Sequence, residues 1–300
     1  MTEAEQVARA LNGHKSGRGW ICLCPAHDNT KTPALSVSNG SDGRLLVKCH
    51  AGCDGRSVMG ELQRRGIISG RGHNAKPPDP TELKRQKAED LRRQAHRLKV
   101  SHDIFRAGTS CEGTAAERYL CEVRGIAGLR FNKMKNTLRF HPETLHSSSG
   151  QKLPAILAQI RGPKGEPLGI HRTYLKPDGS GKADVTPAKM MLGPSSGGSV
   201  RFGPDAPVIA LAEGIETALS VARASRLTVW ATLSTSGMKG LILPPPPVAG
   251  VVILCADNDE AGLSAAEIMA GRLQADGRAV SIIHPAEAGN DFNDVLRGRQ

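Results

Sequence analysis

Aromatic residues make up only 3% of this 300-residue chain, with two Trp, two Tyr and five Phe. Stacking of bases on aromatic rings is therefore a minor means of holding any nucleic acid. Long apolar runs are also missing. The longest, Val248 to Ala256, falls far short of the roughly 20 residues that cross a bilayer. The N-terminus MTEAEQVARALNG has no signal-peptide core, so a cytoplasmic location and no membrane partner are expected. No GxxxxGKS or GxxxxGKT phosphate loop occurs, which argues against a built-in motor of that type. Acids are scarce too: 29 Asp and Glu against 40 Lys and Arg leave a net charge of +11. An excess of that size favours an anionic partner, nucleic acid first among them.

What is present changes along the chain. Residues 13 to 68 are rich in Gly, Cys and His, with short strand-like runs ALSVS and RLLVKC followed by an amphipathic helix over GRSVMGELQRRGI. SGRGHNAKPPDP reads as a linker, and Asp79-Pro80 as the cap and first turn of a charged helix reaching about Arg106. Between Arg124 and Arg201, 13 Lys or Arg face 4 acids, with strand candidates TLRF, AILAQI and LGIHRTYL. From Ala206, the apolar strands APVIALAEG, LTVWAT, GVVILCAD and RAVSIIHP alternate with helical stretches, the signature of a largely parallel sheet.

Such sheets place ligands beyond the carboxyl ends of their strands, and the acids fall there. Glu213 follows one strand; Asp257 and Asp259 follow another, and residues i and i+2 share a face while the chain stays extended. Near 5 Å and an effective dielectric of 20, each carboxylate pair repels by about 3 kcal/mol. A divalent cation offsets that cost, and Mg²⁺ suits a few carboxylates completed by water and phosphate. Asp291 and Asp294 in GNDFNDVL, like Glu260, are equally readable as helix N-terminal residues.

AEGIETALS, then ADNDEAG, then NDFND resemble the Toprim domain, the metal-binding catalytic module of bacterial-type primases, topoisomerases and some nucleases, over roughly residues 206 to 296. The resemblance implies catalytic Mg²⁺ or Mn²⁺ on Glu213, Asp257 and Asp259. Glu216 is at a position that is not acidic throughout the wider group.

Of seven cysteines, four cluster with histidines: Cys22 and Cys24 before His27, and Cys49 and Cys53 around His50. The pairs Cys24-x2-His27 and Cys49-x3-Cys53 suit one closed, tetrahedral structural zinc. In so small a module zinc contributes about 10 kcal/mol or more to folding. Cys22 and His50 are spare ligand candidates. The run from CPAHDNTKTPALSV to RLLVKCHAGC resembles the zinc ribbon of bacterial-type DNA primases, in the version found in phage and mobile-element proteins. That likeness implies contact with single-stranded template, for which Lys31, Arg44 and Lys48 are available. LRFHP, GIHRTYL and AKMMLGP resemble the subdomain preceding Toprim in primases, which makes Arg139, His171, Arg172, Lys182 and Lys189 candidates for binding nucleotide or DNA.

The implied fold is a multidomain α+β and α/β chain. It comprises a zinc-ribbon DNA-binding domain over 1–69, a linker and charged helix over 70–109, a basic α+β primase subdomain over 110–205, and a Toprim domain over 206–300. The implied activity is a DNA primase: Mg-dependent nucleotidyl transfer that builds short primers from nucleoside triphosphates on single-stranded DNA, with a separate replicative helicase as partner. A Toprim-type nuclease and a non-catalytic DNA-binding or recombination scaffold are the alternatives. A Toprim topoisomerase needs a tyrosine nucleophile in a large domain, and Tyr119 and Tyr174 are the only tyrosines.

Overall fold

The computed structural model describes residues 2–17, 19–27, 33–40, 43–69 and 80–298. Lys31, the linker residues 70–79 and the expected cap at Asp79 lie outside them. Two compact units divide the chain, Met1–Leu91 and Arg92–Gln300.

The first unit opens with helix α1 (Glu3–Ala10), whose first turn is closed by Thr2 Oγ1 accepting from the Glu5 amide. Strands β1 (His14–Ser16), β2 (Gly19–Cys22), β3 (Leu35–Asn39) and β4 (Leu45–Cys49) follow as an antiparallel sheet in sequence order. Alternation on β3 turns Leu35 and Val37 inward. Helix α2 (Gly55–Arg64), capped by Asp54, adds Val58 and Leu62. These side chains and Cys22 form a core of a dozen residues, thin enough for a metal staple to matter. The long helix α3 (Pro80–Ala107) is charged along most of its length; Leu91 is exposed whereas Phe105 is buried.

In the second unit, short helix α4 (Ala115–Glu117) runs into a π-helical turn (Arg118–Val123), and α5 (Phe131–Met134) follows. Strands β5 (Leu138–Leu145), β6 (Lys152–Arg161), β7 (Pro167–Tyr174) and β8 (Lys189–Leu192) make an antiparallel sheet in that order. A second sheet is built from β9 (Val200–Phe202), β10 (Val208–Ala212), β11 (Thr228–Ala231), β12 (Val251–Cys255) and β13 (Ala279–Ile283), in the order β13-β12-β10-β11-β9. β10 to β13 pair in parallel as the alternation implied, and β9 joins β11 antiparallel. Helices α6 (Ile215–Ser225), α7 (Thr235–Gly240), α8 (Glu260–Ala275) and α9 (Phe292–Leu296) connect or follow these strands.

Both faces of the parallel sheet are covered, which is why its strands read as continuous apolar runs. On β10, Ala210 and Ala212 face a core shared with Ile156 and Ile160 of β6 and Leu219 of α6. Ile209 and Leu211 face the opposite core with Trp230, Leu254 and Met269. Each large side chain so buried stabilises by about 1.5–3 kcal/mol before entropy is counted. Among the described residues no helix is long and apolar enough to cross a membrane.

Candidate functional site

β10 and β12 are adjacent and in register, with Ala212 opposite Cys255. The residues that leave their carboxyl ends, Glu213 and Asp257, therefore emerge side by side at the centre of the sheet. Glu213 is held from β11 onward: its carbonyl accepts from the Leu233 amide at 2.8 Å, and its carboxylate accepts from the Thr235 amide. Leu233 takes a positive φ of 73° to make that turn, a backbone strain of the kind found around functional sites. Asp259 Oδ1 caps α8 by accepting from the Gly262 amide at 2.7 Å. Gly262 is required there, because a Cβ would stand 2.6 Å from the Asp257 carbonyl oxygen. Asn258 fixes the same loop by donating to the carbonyls of Pro285 and Ala286.

Burial and then Asp259 push the Glu213 carboxyl above its ordinary range. Asp257 is raised to about 7 by burial, followed by the charges of Glu213, Asp291 and Asp259. Asp257 Oδ1 is buried without a hydrogen-bond partner. Two hard oxygen donors, Glu213 and Asp257, that resist ionising, one of them with an oxygen lacking any hydrogen-bond donor, fit a divalent cation completed by water and phosphate. Asp291 and Asp294 form a reciprocal capping box at the start of α9. Asp291 also lies 3.7 Å from Arg124.

Glu216, in the first turn of α6, is 4% exposed. It accepts from Lys189 Nζ at 2.9 Å and from the Tyr119 hydroxyl at 2.9 Å, and lies 3.7 Å from Lys182 Nζ. Burial alone would raise its pKa; Lys189 and Lys182 reverse this and hold it well below the usual carboxylate range. Lys189 also acts on Glu213 and Asp257, lowering both. The structure thus brings Lys182 and Lys189 together on one carboxylate beside the acidic cluster. His171, buried on β7, senses the same lysines: burial first, then Lys189, depresses it to about 4, and its Nδ1 has no partner.

The other basic candidates are placed differently. Arg172 alternates to the far side of β7, 5% exposed, donating to the carbonyls of Leu145 and Met191 and lying over the Tyr174 ring. Arg139 donates to the carbonyls of Lys135, Arg106 and Gly108. Both guanidiniums are engaged with backbone in this arrangement. Residues that sequence reasoning passed over include Tyr119 and Asn293, whose amide bridges the Arg124 carbonyl and Ser220 Oγ. The available signal was polarity inside α6, where Glu216, Thr217 and Ser220 interrupt an apolar face and are all buried.

In the first unit, Cys24, His27, Cys49 and Cys53 converge, their ligand atoms all within 4.8 Å of one another. No other group of three or more such ligands gathers in this way among the described residues. His27 Nδ1 faces Cys53 Sγ at 3.0 Å and Cys49 Sγ at 3.7 Å. Burial pushes the Cys24 thiol to about 12. Cys49 is also opposed by burial, yet the amides of Cys53 and Ala51 bring it below its ordinary value. Three thiols and an imidazole at this spacing fit one tetrahedral zinc. The spare candidates stand apart from the cluster: Cys22 is fully buried in the core, and His50 Nε2 pairs with Ser36 Oγ at 2.7 Å. Arg44 and Lys48 are exposed at and beside β4.

Residues 95–202 match a family described as a domain of unknown function (DUF7146). Among curated proteins nothing matches the chain. Among solved structures, the chain is similar to a DNA primase domain from Pseudomonas aeruginosa at 18% identity, covering 67% of this chain and 74% of that one, with a TM-score of 0.45. The zinc-binding and RNA polymerase domains of the Aquifex aeolicus primase match at 15% identity over 99% of this chain and 80% of theirs, with a TM-score of 0.47. The primase fragment of the bacteriophage T7 primase-helicase protein matches at 14% over 93% and 96%, with a TM-score of 0.38. The C-terminal part of the chain is assigned directly, since residues 208–299 match the Toprim family, and with Glu213 and Asp257 at the carboxyl edge of its parallel sheet this chain carries a Toprim domain.

Proposed function

We propose that this protein is a DNA primase that joins nucleoside triphosphates into short primers on single-stranded DNA. The observation that carries the reading is the meeting of two sets of groups. Glu213, Asp257 and Asp259 lie at the edge of the Toprim sheet, and Lys189 reaches from the preceding sheet to Glu216, at 2.9 Å, in the first turn of the helix that follows Glu213.

Toprim domains typically bind Mg²⁺, and Glu213, Asp257 and Asp259 would hold Mg²⁺ or Mn²⁺ here. Held there, such a cation would supply charge stabilisation for the attacking 3′-hydroxyl and the leaving pyrophosphate. The chain's own part is positioning. Lys189 and Lys182, gathered on Glu216 at 2.9 and 3.7 Å, supply positive charge for the triphosphate. Glu216 and Tyr119 fix where that charge sits. The Cys24, His27, Cys49 and Cys53 cluster would hold one structural zinc, and the exposed Arg44 and Lys48 of that module are suited to template phosphates. Unwinding is assigned to a separate replicative helicase. Incorporation of labelled nucleotides on a single-stranded template without a pre-formed primer tests the reading. Cleavage of DNA with Mg²⁺ and no incorporation would replace it with a Toprim nuclease.

A further inference from the structure

One cavity in the Arg92–Gln300 unit belongs to none of this chemistry. It has a volume of about 610 Å³ and lies between residues 128–137, the end of β9 and the C-terminal half of α6. Glu213 precedes α6, while Ala222, Arg223 and Arg226 at the other end of that helix line the cavity. At 1.5 Å per residue, the two ends are about 15 Å apart along the helix axis. None of Glu213, Asp257, Asp259, Lys182 or Lys189 contributes to its walls.

Its chemistry is two-sided. The buried Arg201, already paired with Asp205 at 3.0 Å, is part of the wall; Met134, Phe202 and Leu219 give apolar walls, and Arg130, Lys133, Arg223 and Arg226 surround the cavity with positive charge. No Asp or Glu lines it. All four of these cations are exposed. Arg223 spends only its Nε, on the Ala127 carbonyl at 2.9 Å. The side chains of Arg130, Lys133 and Arg226 have no hydrogen-bond or ion-pair partner among the described residues. Four cations around one opening, with no carboxylate to offset them, favour a multiply charged anion.

We infer that this cavity binds a nucleotide, with the base against the apolar walls and the phosphates among the four cations. Inorganic phosphate would satisfy the charges and leave the apolar walls unused. A volume within the roughly 300–1,000 Å³ of small-molecule pockets suits a ligand with a ring system, and guanidinium planes stack readily on bases. The nucleotide is either free in solution or one unit of a single strand; the chemistry is the same, and binding measurements separate the two sources. The assignment does not depend on primer synthesis.

The test uses the full chain carrying Glu213→Gln and Asp257→Asn, so that binding at the acidic cluster is suppressed. Radiolabelled ATP is measured by equilibrium dialysis and labelled oligo(dT) by fluorescence anisotropy. Two further changes are compared: Arg130→Glu with Lys133→Glu, which reverses charge at the rim, and Ala222→Phe, which fills the cavity. Should Ala222→Phe fail to give a cooperative melt, Met134→Trp takes its place. Loss of ATP affinity by about tenfold or more in both variants is expected for a free-nucleotide site. An equal loss confined to oligo(dT) in both variants supports the same cavity with a strand as the source. If the cavity-filling variant weakens neither ligand, the inference is overturned, whatever the charge reversal does. Inorganic phosphate or an alkyl phosphate displacing ATP as well as AMP does would also overturn it.

Discussion

Lys189 donates to Glu216 at 2.9 Å across 27 residues of sequence, tying the last strand of the antiparallel sheet to the helix that follows Glu213. Tyr119, 97 residues away on the π-helical turn, donates to the other oxygen of the same carboxylate. Glu216 is therefore a positioning residue in the proposed reaction. Glu216→Gln keeps its shape and removes the charge that holds both lysines. Primer synthesis should fall at least tenfold, mainly through a higher KM for nucleotide, because the loss of ground-state binding raises KM first. Tyr119→Phe should give the same change in weaker form. An unchanged KM in a well-folded Glu216→Gln protein would remove the positioning role.

The same buried groups make acid stability a readout. His171 is depressed to about 4 from 6.5, so the unfolded chain takes up its proton first, and stability is lost as pH falls from about 6.5 towards 4. Glu216 is also depressed in the fold, and its contribution, present above the unfolded value, is lost as pH falls below about 4.5. His171→Gln should flatten the upper part of the acid limb of a Tm against pH curve, and Glu216→Gln the lower part. Steepening in either variant would contradict these assignments.

Zinc offers a sharper discrimination. One zinc per chain is expected, lost in Cys49→Ser and retained in Cys22→Ser and His50→Ala. Loss should abolish the melting of residues 1–69 while a cooperative transition from the Toprim-containing unit persists. Zinc retained in Cys49→Ser, measured by elemental analysis, would break the ligand assignment.

Removing a repelling carboxylate should act in opposite directions with and without metal. In EDTA, Asp257→Asn relieves the repulsion from Glu213, Asp291 and Asp259, and Tm should rise. With Mg²⁺ added, the wild-type protein should gain stability by binding linkage, whereas Asp257→Asn should gain little. A variant stabilised by Mg²⁺ as much as the wild type would place the cation elsewhere.

Much of this arrangement is legible in the residues themselves. Strand after strand of the C-terminal sheet reads from apolar runs, since both of its faces are buried, and Glu213 and Asp257 are visible as acids placed after strands. Cysteine spacing likewise picks out Cys24, His27, Cys49 and Cys53. Less legible are the elements that depend on distant partners. β9 is three residues long and is a strand because it pairs with β11. The roles of Arg139 and Arg172 cannot be read from charge: a Lys or Arg bound for phosphate and an Arg spent on backbone carbonyls look the same in sequence. The role of Glu216 is likewise not written in the sequence; burial beside two lysines and a tyrosine makes it a clamp.

The most direct test of the central claim is labelled-nucleotide incorporation on single-stranded DNA by the wild-type protein, Glu213→Gln and Asp257→Asn, with DNA binding measured on the same preparations. Wild-type protein should extend short primers in Mg²⁺, and both variants should lose extension while keeping nearly full affinity for DNA, since phosphate contacts from basic groups dominate that affinity. Wild-type protein of verified metal content that binds the template but never joins two nucleotides would contradict the proposed function.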